Sequence, residues 1–301
     1  MRRPALVLCA FALVAALALG QATGSSEPVG SASLAAAAEK AAAKPVERPE
    51  LLDGRVFVAY YGTVGTPVLG VLGESAPEHA MARVQRAAAP YRRNGLPAQP
   101  VFELIVTIAD AVPGPDGDYN HDVPVAAVRR WVEAARESGA LLVLDVQPGR
   151  ASFPSVVKRW TWALREPHVG LAIDPEWRMH GSQVPGRVIG AVSTWEVNAT
   201  SQWLEGLVEA NGLPQKLFLV HQFRRDMLRG AHPVRDRRFL AEIQHVDGFG
   251  TPREKLATYA AVARPREFRM GFKLFYDEDR PRLTAAQVLR IRPRVDFVSF
   301  Q

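Results

Sequence analysis

What most constrains this chain is an alternation that begins near Arg55 and runs to the C-terminus. Eight short apolar runs, at 56–61, 102–107, 141–146, 170–174, 216–221, 242–247, 271–276 and 295–300, are separated by longer stretches of helical period. Each run is rich in Val, Ile, Leu or Phe and nearly continuous. That is the pattern of strands buried on both faces of a parallel sheet. Between them, 77–88 carries Met81, Val84 and Ala88 on one side, and 125–138 carries Val128, Trp131 and Ala135. The stretch 194–210 holds Trp203, Leu204, Leu207 and Val208. The stretch 252–263 follows Thr251 as an N-cap with Pro252 at the first helical position, and Thr284 opens a last helix that ends near Pro293. Strands alternating with helices make βαβ units. Eight of them in about 250 residues predict an α/β fold, a single (β/α)8 TIM barrel. The rival is an open doubly wound sheet, which usually carries a glycine-rich phosphate loop after its first strand. Here that turn reads Tyr60-Tyr61-Gly62-Thr63-Val64-Gly65-Thr66-Pro67, with neither G-x-G-x-x-G nor G-K-[ST], so the open sheet ranks second.

The barrel pattern covers 53–301. Ahead of it, Arg2-Arg3, an apolar run from Ala5 to about Leu19 and the small residues Gly20, Ala22 and Gly24 describe a secretory signal peptide over 1–22. The run is marginal for a membrane span, and the alternative is an uncleaved anchor. Residues 23–52 contain no aromatic side chain and much Ala, Ser, Gly, Lys and Pro, so they read as a flexible linker. The single cysteine, Cys9, lies inside the signal. A mature chain without cysteine suits an exported protein that needs no disulfide, and it excludes cysteine nucleophiles and cysteine-ligated zinc. The net charge of +6 is spread over the chain with no block of like charges. This argues against a nucleic-acid partner and leaves weak association with an anionic cell wall. The expected localisation is extracytoplasmic and the expected state a monomer.

In a barrel of this kind the site forms at the C-terminal ends of the strands. Polar residues gather at those ends. Asp145 and Gln147 follow the third run, Asp174, Glu176 and Trp177 the fourth, and His221 and Gln222 the fifth. His245 and Asp247 close the sixth run, Tyr276 and Asp277 the seventh, and Gln301 the eighth, with Tyr60 and Tyr61 at the end of the first. Side chains alternate along a strand, so Asp174 shares a side with Glu176, and Asp145 with Gln147. Paired carboxylates among aromatic residues suit glycosidic cleavage, one as acid and one as stabiliser or base. The expectation is Glu176, Asp174 and Asp145 as catalytic groups. Tyr60, Gln147, Trp177, His221, Gln222, Asp247, Tyr276, Asp277 and Gln301 would bind substrate. A protonated Glu176 would act beside an ionised Asp174.

The competing explanation for each carboxylate is helix capping. A metal site could assemble from His221, His245, Asp145, Asp174 and Asp247, but no H-x-H or H-E-x-x-H spacing supports it, so no metal or cofactor is expected. Lys273 sits among apolar neighbours in the seventh run, where a Schiff-base role competes with an internal ion pair. Glu103 in the second run is its expected partner. Asn198-Ala199-Thr200 matches a glycosylation sequon, which in an Ala/Arg/Pro-rich chain of bacterial texture is read as chance.

The segment Gly170-Leu171-Ala172-Ile173-Asp174-Pro175-Glu176 resembles the end of the D-x-x-D-x-D-x-E signature of the family 18 chitinase-like hydrolases. The resemblance implies that Glu176 is the acid and that Asp174 positions an acetamido group. The two earlier acids of the signature are replaced by Val169 and Ala172. More broadly, Asp174-Pro175-Glu176-Trp177 and the segment 272–279 resemble uncharacterised secreted TIM-barrel proteins of high-GC bacteria, which implies export and the barrel. The expected function is a secreted glycoside-hydrolase-like enzyme acting on a cell-wall or environmental polysaccharide. The alternatives are a non-catalytic carbohydrate-binding barrel and a metal-dependent hydrolase.

Overall fold

The computed structural model describes residues 50–301. The expected signal peptide, Cys9 and nearly all of the expected linker lie outside the described residues. Eight strands run parallel: β1 Phe57–Gly62, β2 Gln99–Ala109, β3 Leu141–Val146, β4 Val169–Ile173, β5 Lys216–His221, β6 Leu240–Val246, β7 Arg269–Leu274 and β8 Val295–Phe300. They pair in sequence order, and β1 pairs with both β8 and β2, which closes the sheet into a barrel. Around it lie α1 Pro77–Ala88, α2 Val125–Ser138, α3 Phe153–Val157, α4 Thr161–Leu164, α5 Thr194–Ala210, α6 Pro252–Val262 and α7 Ala285–Val288. The fold is a single (β/α)8 TIM barrel.

The continuous apolar runs follow from this closure, because every strand is covered on both faces. Phe57, Ala59, Val101, Val143, Ala172, Leu217, Leu219, Ala241, Ile243 and Phe297 fill the inside. The alternate residues, such as Val58, Phe102, Leu144, Ile173, Phe218, Phe272 and Val298, face outward into a larger core shared with the helices. From α2 that core receives Val128, Trp131 and Ala135. Capping boxes start α6 (Thr251 with Glu254) and α7 (Thr284 with Gln287), each closing two otherwise open backbone donors. One expectation is corrected: the last helix stops at Val288, well short of Pro293. The β3–β4 connection holds two short helices that have no strong sequence period.

The loops that build the mouth are tied to one another. Gly149, at φ 58°, passes so close to Asp118 that a Cβ would lie 2.2 Å from the Asp118 carbonyl oxygen. Its own carbonyl accepts from Met179 N at 2.7 Å, which joins the loop after β3 to the loop after β4.

Candidate active site

Above the apolar floor the barrel interior turns polar. Tyr61, Glu103, Asp145, Asp174, His221, His245, Asp247, Lys273 and Ser299 are all buried there. His221 is clamped between two carboxylates, with Nδ1 2.8 Å from Asp247 Oδ2 and Nε2 2.9 Å from Glu103 Oε1. His245 Nε2 meets Ser299 Oγ at 3.0 Å, and its Nδ1 lies 3.5 Å from Glu103 Oε1. Asp145 Oδ2 is 3.8 Å from His221 Nε2. The expected Glu103–Lys273 pair is corrected: the imidazoles take Glu103, and the Lys273 ammonium sits 3.3 Å from the Tyr61 ring centroid.

Over this layer opens a cavity of about 440 Å³. Six of the expected residues line it: Gln147, Asp174, Glu176, Trp177, Asp247 and Gln301. Asp174 caps the short turn Pro175–Trp177, its Oδ1 accepting from Glu176 N at 3.0 Å. This is the capping role weighed against catalysis, and it fixes where Glu176 stands. The Glu176 carbonyl accepts from Gly190 N at 2.6 Å, which anchors the far side of the turn. Apolar walls come from Trp177, Phe223, Phe275 and Phe249, the last 66% exposed.

Six expected residues lie elsewhere. Asp145 and His221 are sealed beneath the cavity, since they sit within the strands and not on the loops beyond. Tyr60 points out of the barrel: its hydroxyl lies 3.2 Å from that of Tyr276, both rings pack against Phe300, and Arg83 of α1 covers it. Tyr276 belongs to this outer cluster for the same reason. Gln222 also faces outward, donating to Arg224 O and accepting from Gln244 beside α6. Asp277 is exposed and outside the cavity lining. Glu278, Phe249 and Lys273 line the cavity and were not assigned to it. β7 ends at Leu274, so strand alternation could not rank Asp277 against Glu278.

The electrostatics follow from the burial. Desolvation, then the Asp247 carboxylate, pushes the Glu176 carboxyl up to about 7, with Lys273 opposing. Burial raises Asp174 well above the ordinary range, and Asp145, Glu176 and Asp247 add to it. Burial alone would raise Asp247 too, but the hydrogen bond and charge of His221 prevail and hold it low. These opposite directions favour Asp247 over Asp174 as the ionised neighbour of Glu176. Burial would depress His221, yet its bonds to Asp247 and Glu103 raise it well above its usual value.

No family model and no curated protein matches this chain. Among solved structures it is similar to a tri-modular GH5 (subfamily 4) endo-beta-1,4-glucanase from Bacillus licheniformis, at 12% identity and a TM-score of 0.45, over 83% of this chain and 55% of that one. The chain thus spans about half the length of that enzyme. It is also similar to XEG5A, a GH5 xyloglucan-specific endo-beta-1,4-glucanase from a metagenomic library, at 10% identity, a TM-score of 0.44, and 83% and 87% coverage of the two chains. A dihydropteroate synthase from Burkholderia cenocepacia follows at 16% identity and a TM-score of 0.35, with 82% and 86% coverage. These glucanases are of family 5, not family 18. Likeness of this degree, shared with a synthase, assigns no reaction.

Proposed function

We propose that this chain is a secreted glycoside-hydrolase-like enzyme that cleaves a cell-wall or environmental polysaccharide, with Glu176 as general acid. The observation that carries the reading is a carboxyl raised to about 7 in a mouth cavity walled by Trp177, Phe223 and Phe249. Half of such carboxyls are protonated near neutrality, as an acid donating to a leaving group requires. A sugar ring can stack on the aromatic walls. Glu176 donates its proton to the glycosidic oxygen as the bond from that oxygen to the anomeric carbon breaks. Asp247, fixed by His221, faces the developing positive charge. Water then adds to the anomeric carbon and its proton returns to a carboxylate. Asp145, sealed beneath the cavity, takes no part in these steps.

The test is a glycan panel that includes cellotriose and xyloglucan, scored separately for binding and for cleavage. Glu176→Gln keeps the shape and removes the transferable proton. It should reduce cleavage by about 10²–10⁴-fold and leave binding intact. Full activity of this variant on a substrate that the wild type cleaves removes Glu176 as the acid. Binding without cleavage by the wild type makes the chain a carbohydrate-binding barrel. N-terminal sequencing of exported protein checks the signal, with a start between about residues 20 and 24 expected.

A further inference from the structure

We propose that Glu103, His221 and His245 form a buried site for a divalent transition metal of the zinc type, with Asp145 as the fourth ligand. This goes beyond the hydrolase reading and does not depend on it. One ligand atom from each of Glu103, His221 and His245 lies within 4.8 Å of the others, and Asp145 stands just outside this group and would turn in to complete it. The separations facing Glu103 Oε1 are 2.9 Å to His221 Nε2 and 3.5 Å to His245 Nδ1, and Asp145 Oδ2 stands 3.8 Å from His221 Nε2. Bonds of about 2.0–2.2 Å to one ion set ligand atoms roughly this far apart.

Each imidazole is held as a metal-ligating histidine is held. His221 turns its other nitrogen to the Asp247 carboxylate at 2.8 Å, and His245 turns its other nitrogen to Ser299 Oγ at 3.0 Å. Such outer partners orient the ring and leave the inner nitrogen for the metal. A metal-free hydrogen bond between His221 and Glu103 explains one contact only. It leaves Glu103 Oε2 and His245 Nδ1 buried without a hydrogen-bond partner, and it leaves Asp145, whose carboxyl Tyr61 reaches by one hydrogen bond, with an oxygen in the same state. Partnerless polar atoms from three side chains converging in one fully buried place are uncommon in a folded protein, and a cation there satisfies them together. Charge points the same way. Glu103, Asp145, Asp174 and Asp247 share this interior with only the Lys273 ammonium and the His221 ring to balance them. Because all four ligands are buried, the site is of the closed, structural kind.

The experiment strips the purified domain with a chelator, re-exposes it to zinc, removes the excess by dialysis and measures zinc per chain together with the melting temperature. About one zinc per chain is expected, with a melting temperature that falls on stripping and recovers with zinc but not with magnesium. Ser299→Ala removes only the anchor of His245. It should weaken zinc binding by about 10–100-fold in competition with a chromophoric chelator. His121→Asn, at an exposed histidine paired with Asp110, should leave binding unchanged. A wild type that retains no stoichiometric zinc, or whose melting does not respond, overturns the proposal, as does loss of zinc in His121→Asn. Should Ser299→Ala not fold, the wild-type stoichiometry and melting decide alone. No substrate enters the assay, and Glu176→Gln should bind zinc like the wild type. The metal site and the hydrolase reading therefore fail separately.

Discussion

The lower and upper halves of the barrel interior are built by the same strands with opposite chemistry. Ala59, Val101, Val143, Ala172, Leu219, Ile243, Gly271 and Phe297 occupy inward positions on the eight strands in turn. Two residues further along each strand stand Tyr61, Glu103, Asp145, Asp174, His221, His245, Lys273 and Ser299. All eight strands make the switch. A packed core needs only the first set, since buried apolar side chains stabilise the barrel without directional partners. The second set puts charges where water is excluded, which is costly unless each is paired. The lower half holds the fold together, and the upper half spends some of that stability on chemistry.

The largest test of this contrast is truncation on each side of the switch. Phe297→Ala leaves a hole in the floor and should destabilise the protein by about 3–5 kcal/mol in denaturant or thermal melts. Asp174→Asn keeps an oxygen to accept from Glu176 N, and it removes a carboxyl whose hold on its proton burial strengthens. Its expected effect is about 1 kcal/mol or less at neutral pH. Equal losses for the two variants would mean that the upper layer is as structural as the lower.

The fold was legible in the sequence because buried parallel strands write themselves as eight continuous apolar runs, and three of the eight matched to the residue. The helices with a strong period, 77–88, 125–138 and 194–210, were equally plain. α3 and α4 were not, since helices of one turn leave no period to read. At the mouth, alternation identified Asp174, Asp247 and Gln147. Those three stand one residue past their strands, and alternation fails two or three residues past, where it favours Tyr276 and Asp277 and the cavity takes Glu278. Tyr60 and Gln222 failed differently. A polar or aromatic residue at a strand's end points inward or outward according to register, and register is set by closure of the whole barrel. Lys273 was paired with Glu103 because both were buried charges, but two histidines from β5 and β6 compete for the same carboxylate.

A smaller effect appears in the pH dependence of stability, and it compares a carboxyl at the mouth with one at the base. Glu176 is raised to about 7, and Glu242 to about 8, in both cases chiefly by burial. Glu242 Oε2 accepts from Arg237 N at 3.1 Å, while its Oε1 has no partner. A carboxyl whose folded value exceeds its unfolded value binds its proton more tightly in the folded state. Its contribution to stability is complete below about pH 4.5 and is lost as pH rises, through 7 for Glu176 and through 8 for Glu242. At about 1.36 kcal/mol per pH unit, the loss is roughly 3 kcal/mol for Glu176 and roughly 5 kcal/mol for Glu242. Melting curves from pH 4 to 9 should show wild-type stability falling across this window. Glu176→Gln should flatten the portion up to pH 7, and Glu242→Gln the portion up to pH 8. Unaltered slopes in both variants would show that these carboxyls are solvated and ordinary.

The finest distinction concerns Lys273, the one ammonium lining the cavity among the described residues. It lies against the Tyr61 ring and lowers the Glu176 carboxyl, in opposition to burial and Asp247. A cation stabilises the ionised form of a neighbouring carboxyl, so removing it favours the protonated form. Lys273→Met should therefore raise Glu176 above about 7. Since the general acid must be protonated to act, the alkaline limb of the cleavage profile should move to higher pH by up to about one unit. Loss of the cation–π contact should cost about 0.5–2 kcal/mol of stability. The profile of cleavage against pH, measured for wild type and Lys273→Met at the same substrate saturation, separates three roles. A limb that shifts upward identifies Lys273 as the group tuning Glu176. A limb that stays put or moves to lower pH shows that its charge does not reach Glu176. Complete loss of cleavage in a folded variant makes Lys273 a reacting group, as the Schiff-base alternative requires.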